Sequence, residues 1–107
     1  MFKLPIRRIG LAQLLTKIKR DKEAIIAISN RYHAVNVRVF GSVARGDDHQ
    51  GSDVDLLVDF QPGTTLFDHV ALQEELSIRL GRKVDVVSAR ALNKHLRSNI
   101  LREAVEL

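Results

Sequence analysis

Gly41-Ser42, ten residues, then Asp53-Val54-Asp55 bring together residue types that handle phosphate and divalent metal. Side chains two apart on a strand project to one face, so Asp53 and Asp55 point together if a strand begins there. Like charges so placed repel unless a cation lies between them. Magnesium suits them, because it favours carboxylate oxygens and substrate phosphates. Gly41 permits a tight turn, and the N–H groups after it, the Ser42 hydroxyl and Arg45 suit phosphate oxygens. Asp85, between Val84 and Val86, is a third carboxylate in an apolar run and completes the site if its strand lies beside the Asp55 strand. Metal-assisted transfer of a nucleotide is the chemistry this set points to, with ordinary surface aspartates as the plainer alternative.

Rival patterns fail on particular residues. Gly41 to Gly46 has the glycine spacing of a P-loop, but Asp47-Asp48 stands where Lys-Ser/Thr is required. An EF-hand fails because Leu57 and Val58 follow Asp55 where oxygen ligands should continue. Ser42 has no inferable histidine–carboxylate arrangement that would make it a nucleophile. His33, His49, His69 and His95 lack metal-ligand spacing and read as surface or structural residues, with His49 singled out by its place between the two motif halves. Asp59 shares the strand parity of Asp55 two pleats on and reads as peripheral.

The elements that must position these residues follow from periodicity. Leu11, Leu14, Leu15, Ile18, Ile25, Ile28 and Tyr32 recur at near-helical spacing over roughly 10–32. The polar patch Lys19 to Lys22 interrupts them, leaving one bent helix or two short ones. Val35, Val37 and Val39 alternate as a strand ending at Phe40. Ser42 to about Arg45 starts a short helix, and Asp47 to Ser52 is a loop. Val54 to Phe60 is apolar enough to lie inside a sheet. After Pro62-Gly63, Thr64 or Thr65 can cap a helix with apolar positions Leu66, Val70, Leu76 and Leu80, stopped by Gly81. Lys83 to Val87 is a third strand. Ser88 introduces a last helix through about Ala104 with Leu92, Leu96, Ile100 and Leu101, which either close the core or meet a partner. The order predicts helices packed on a small sheet.

The chain of 107 residues fits one domain, and the net charge of +4 hides an asymmetry. Sixteen of the seventeen Lys and Arg lie in 1–38 and 79–107, whereas 39–78 holds Arg45 against eight acidic residues. Such an acidic centre favours cations, and basic flanks favour polyanions or acidic partners. Four Phe and one Tyr offer little for stacking bases, and direct nucleic-acid binding is not expected. No apolar run reaches the roughly 20 residues of a membrane span, the N-terminus shows no secretory signal, and cysteine is absent. A cytoplasmic location fits.

Gly41-Ser42, the Asp53-x-Asp55 pair, the stretches GSVARG and SDVDLLVDF, and GRKVDVV with Asp85 carry a family resemblance. It runs from about Asn36 to Val87 and on to the closing ILREAVEL. In these parts the chain resembles the minimal nucleotidyltransferases of the DNA polymerase β-like superfamily. More narrowly, it is similar to the antitoxin half of type VII-like HEPN/MNT toxin–antitoxin systems.

The resemblance implies an α+β fold, a small mixed sheet of about three to four strands flanked by helices, in a single minimal domain over 1–107. It implies that Gly41, Ser42 and Arg45 hold the ATP phosphates and that Asp53 and Asp55 bind magnesium, with two ions. Asp85 would join the metal site or help deprotonate the attacking hydroxyl. The implied reaction moves AMP from ATP to a tyrosine hydroxyl of a cognate HEPN ribonuclease toxin and silences it. Two other readings stay open: an antitoxin acting by contact alone, and a nucleotidyltransferase subunit acting on a small molecule or RNA. The oligomeric state is open as well.

Overall fold

The computed structural model describes residues 14–47 and 51–107. Residues 14–20 are helical (α1), and α2 (Lys22–Arg31) follows after a turn at Asp21. Hydrogen bonding runs through the break, because the Asp21 N–H reaches the Lys17 and Ile18 carbonyls and the Ile25 N–H reaches Asp21 O. The interrupted stripe is therefore a pair of helices sharing one bend. Arg79 fixes that bend from outside, donating to both Asp21 carboxylate oxygens at 2.8 and 2.6 Å. Leu11, the first residue of the predicted stripe, and His49 lie outside the described residues.

The chain continues through β1 (Ala34–Phe40), α3 (Gly41–Arg45), β2 (Val54–Phe60), α4 (Leu66–Leu80), β3 (Val84–Ser88), a 3-10 turn at Ala89–Ala91, α5 (Lys94–Glu103) and β4 (Val105–Glu106). The sheet order is β3-β2-β1-β4. The β1 strand is antiparallel to β2 and β4, whereas β2 and β3 are parallel. A parallel pair needs a crossover, and α4 supplies it. The apolar β2 run is thus a central strand, hydrogen-bonded on both sides. Its Val54, Leu56 and Val58 enter the main core with Ile18, Ile25, Val39, Val43, Leu72, Leu76 and Val84. Leu57 is also fully buried but stands outside that cluster, on the opposite face of the sheet.

The helix α4 does more than cover that core. Thr65 is its N-cap in a reciprocal capping box with Asp68, and Gly81 ends it in the left-handed conformation. Three of its polar residues, at helical spacing, lie along the outer edge of β3. Ser77 Oγ accepts from the Val84 N–H at 2.9 Å and Gln73 Oε1 from the Val86 N–H at 2.8 Å. His69 Nε2 meets the Val86 carbonyl at 2.6 Å, so it carries the proton there. Edge-strand groups that would otherwise face solvent are satisfied, and the residues on both sides of Asp85 are pinned.

Four details go beyond or depart from the sequence pattern. Leu66 and Val70 are not core: Leu66 is 75% exposed and Val70 48%. They lie on a helix line that continues to Glu74, while Leu72, Leu76 and Leu80 form the buried stripe. The last helix begins at Lys94 rather than Ser88, because Ser88 stays in β3 and the Asn93 side chain caps the Leu96 N–H. Strict alternation in β1 fails at a register shift between Val35 and Arg38, where Asn36 takes a φ of +54°. The short β4 went unpredicted in the run of elements, since two residues carry no readable period.

Candidate active site

The motif residues meet at one end of the sheet. Gly41 follows the last residue of β1, and Phe40 stands opposite Asp55 across the β1–β2 pair. Asp55 stands opposite Asp85 across the β2–β3 pair. Side chains of directly paired residues share a face, so the two carboxylates project together. Asp53 lies two residues before Asp55, just ahead of β2.

Gly41 is required here twice over. Its φ is +74°, and a Cβ added to it would stand 2.5 Å from Asp55 Oδ2. The backbone of the turn and the Asp55 carboxylate are therefore nearly in contact. Gly41 and Ser42 open the one-turn helix α3, whose first N–H groups have no partner within the helix. Gly46, also left-handed, ends it. Arg45 closes the same helix and is shared between Asp47 at 3.2 Å and Glu103 of α5 at 3.7 Å. Its charge still reaches Asp55, where it pulls the pKa down.

The balance at Asp55 goes the other way. Partial burial, then the charges of Asp85 and Asp53, push its pKa above the ordinary carboxylate value. Among the described residues no three His, Asp or Glu side chains are drawn together into a ready metal-holding group. The donor set nonetheless fits a hard divalent cation: it is all carboxylate oxygen, and its members repel one another enough to disfavour ionisation of the middle one. Asp53, Asp55 and Asp85 are the side chains that could hold such an ion. Asp59 is occupied elsewhere, accepting from Asn36 Nδ2 at 2.8 Å and Arg38 Nη2 at 3.2 Å.

Two residues at this end escaped the sequence reading. Lys83 Nζ lies 3.9 Å from Asp53 Oδ2, and Glu103 reaches Arg45 from the last helix. The Lys83 signal was present, since Lys83 and Asp85 repeat the two-residue spacing of Asp53 and Asp55. Glu103 had none, because only the fold brings it to α3. Among the histidines, His69 is structural, with its ring 5.0 Å from that of Phe60.

The family model described as "Polymerase beta, Nucleotidyltransferase" matches residues 23–107. The chain belongs to that family of nucleotidyltransferases. It is 38% identical over 90 residues to the candidate protein adenylyltransferase MJ0435 of Methanocaldococcus jannaschii, across 84% of this chain and 97% of that one. To the protein adenylyltransferase MntA of Thermococcus cleftensis it is 37% identical over 95 residues, covering 89% and 90%. A solved structure described as a candidate minimal nucleotidyltransferase matches at a TM-score of 0.80 and 48% identity, covering 87% of this chain and 95% of that one. A toxin–antitoxin structure with AMP-PNP shares the fold at a TM-score of 0.70 and 22% identity, covering 80% and 71%. The expected mixed α+β architecture is the observed one, and the enzyme is a nucleotidyltransferase. Among the described residues no helix is long and apolar enough to cross a membrane.

Proposed function

We propose that this nucleotidyltransferase is an antitoxin that transfers AMP from ATP to a tyrosine hydroxyl of a HEPN ribonuclease toxin. The observation that carries the transfer chemistry is the close approach of the Gly41 turn to the Asp55 carboxylate, opposite Asp85. It sets backbone N–H groups suited to phosphate beside carboxylate oxygens suited to a divalent cation. Support for a protein acceptor comes from the two protein adenylyltransferases that match this chain over most of its length.

In this reading the N–H groups of the Gly41–Ser42 turn and the Ser42 hydroxyl orient the triphosphate. Arg45 adds positive charge from the end of α3 once it gives up Asp47 or Glu103. Asp53 and Asp55 hold magnesium, with Asp85 beside them; the metal supplies charge stabilisation for the attacking and leaving oxygens. The tyrosine oxygen forms a bond to the α-phosphorus while the bond from that phosphorus to the β-phosphate bridging oxygen breaks. The electron pair leaves with pyrophosphate, and the hydroxyl proton passes to Asp85. ATP, magnesium and the toxin belong to the same proposal.

The contact-only alternative is separated by an Asp53→Asn/Asp55→Asn variant co-expressed with the toxin. Catalytic neutralisation predicts that growth arrest returns although the two proteins still associate. Protection equal to wild type would establish blocking by contact.

A further inference from the structure

Lys83 stands in the site by register rather than by accident of a surface rotamer. The parallel ladder sets Val54 opposite Val84 and Asp55 opposite Asp85. Continued one residue toward the chain start, it sets Asp53 opposite Lys83. The segment is clamped there by the Val54 N–H donating to Lys83 O at 2.9 Å and by Arg82 Nη1 donating to Ser52 O at 2.9 Å. Two rows of charge result on one face: Asp55 with Asp85, which repel, and Asp53 with Lys83, which attract. The 3.9 Å separation and the 69% exposure of the Lys83 side chain leave its ammonium free to swing on a flexible four-carbon stem.

We propose that Lys83 is a resident counter-ion that changes partners during the reaction cycle. It pairs with Asp53 in the nucleotide-free protein, yields that carboxylate to the divalent cation, and moves to the triphosphate held at the Gly41 turn. The inference rests on Asp53 and Asp55 being the metal-holding pair. A cation that must leave when another arrives opposes binding of metal alone. A cation that follows the phosphates favours binding of nucleotide. Lys83 therefore acts with opposite sign on the two ligands, which a lysine without electrostatic reach into the site would not do.

The test is a pair of titrations on wild type, Lys83→Met and Lys83→Arg. Manganese alone, followed by the electron paramagnetic resonance of the free ion, should bind Lys83→Met about fivefold more tightly than wild type. That is the Coulomb interaction of unit charges about 4 Å apart in a water-like dielectric. A non-hydrolysable ATP analogue with saturating magnesium, followed calorimetrically, should bind Lys83→Met more weakly by a similar factor. Lys83→Arg should behave as wild type in both. Manganese binding unchanged or weakened in Lys83→Met overturns the proposal, as does undiminished nucleotide affinity. Neither titration contains an acceptor protein. Failure to modify a toxin would thus overturn the antitoxin reading and leave Lys83 standing, while the wrong signs here would do the reverse.

Discussion

Replacing Gly41 with alanine separates the cost of a backbone conformation from the cost of a displaced ligand. A left-handed φ such as the +74° of Gly41 costs an alanine about 1–2 kcal/mol. The added methyl carbon would also sit 2.5 Å from Asp55 Oδ2, against 3.4 Å or more for ordinary contact. The obstructing atom is the end of a side chain, so the carboxylate turns aside by roughly 1 Å at little expense to the fold; a misplacement of that size can cost about 10²-fold in rate. Gly63→Ala is the control: Gly63 has a φ of +90°, nothing lies within 4 Å of its would-be Cβ, and it sits past the far end of β2. Denaturant unfolding should show comparable stability losses for the two variants. AMP transfer at saturating ATP and magnesium should collapse in Gly41→Ala alone. A folded Gly41→Ala that transfers AMP at close to the wild-type rate would refute the claim that the glycine makes room for Asp55.

Three further outcomes follow from the same geometry. Because the Asp55 pKa is raised by burial and by Asp85 and Asp53, its contribution to stability is fully present below the ordinary carboxylate pKa and is lost as pH rises through the raised value. Asp55→Asn should therefore raise Tm at neutral pH, with the advantage fading on acidification, while transfer is lost; a lower Tm at neutral pH would contradict this. Asp21 has the opposite sign: its hydrogen bonds from Arg79 lower its pKa, so that stability is present above the ordinary value and lost as pH falls through the depressed one. Arg79→Ala should melt lower than wild type at neutral pH, and the two melting curves should converge in acid. Gln73→Ala removes the acceptor of the Val86 N–H and should cost about 1–3 kcal/mol in denaturant unfolding, with a loss of activity beyond that expected from the unfolded fraction because Asp85 loses a neighbouring anchor.

The site was legible in sequence to the extent that local rules govern it. Asp53 and Asp55 share a face because strand period is two, and Gly41 announces a turn because other residues resist positive φ. Asp85 could be nominated from its apolar neighbours, but its partner was not readable, since register between β2 and β3 depends on α4 and its edge contacts. Lys83 carried a signal in its two-residue spacing from Asp85 but needed that same register to bring it to Asp53, whereas Glu103 meets Arg45 only through the fold. The fold errors have separate causes. Leu66 and Val70 have the composition and spacing of a buried face, and only the neighbours of α4 decide which of its faces is covered. At Asn36 one extra residue inverts the pattern on either side of it, so an alternation that looks regular in sequence changes faces in the folded strand.

The most direct measurement is the intact mass of a HEPN toxin after incubation with this protein, ATP and magnesium, beside a parallel reaction with Asp53→Asn/Asp55→Asn. Gain of one or more AMP units, mapped to a tyrosine and absent with the double variant, is the predicted result. An unchanged toxin mass despite a stable complex would contradict the account and leave contact as the means of neutralisation.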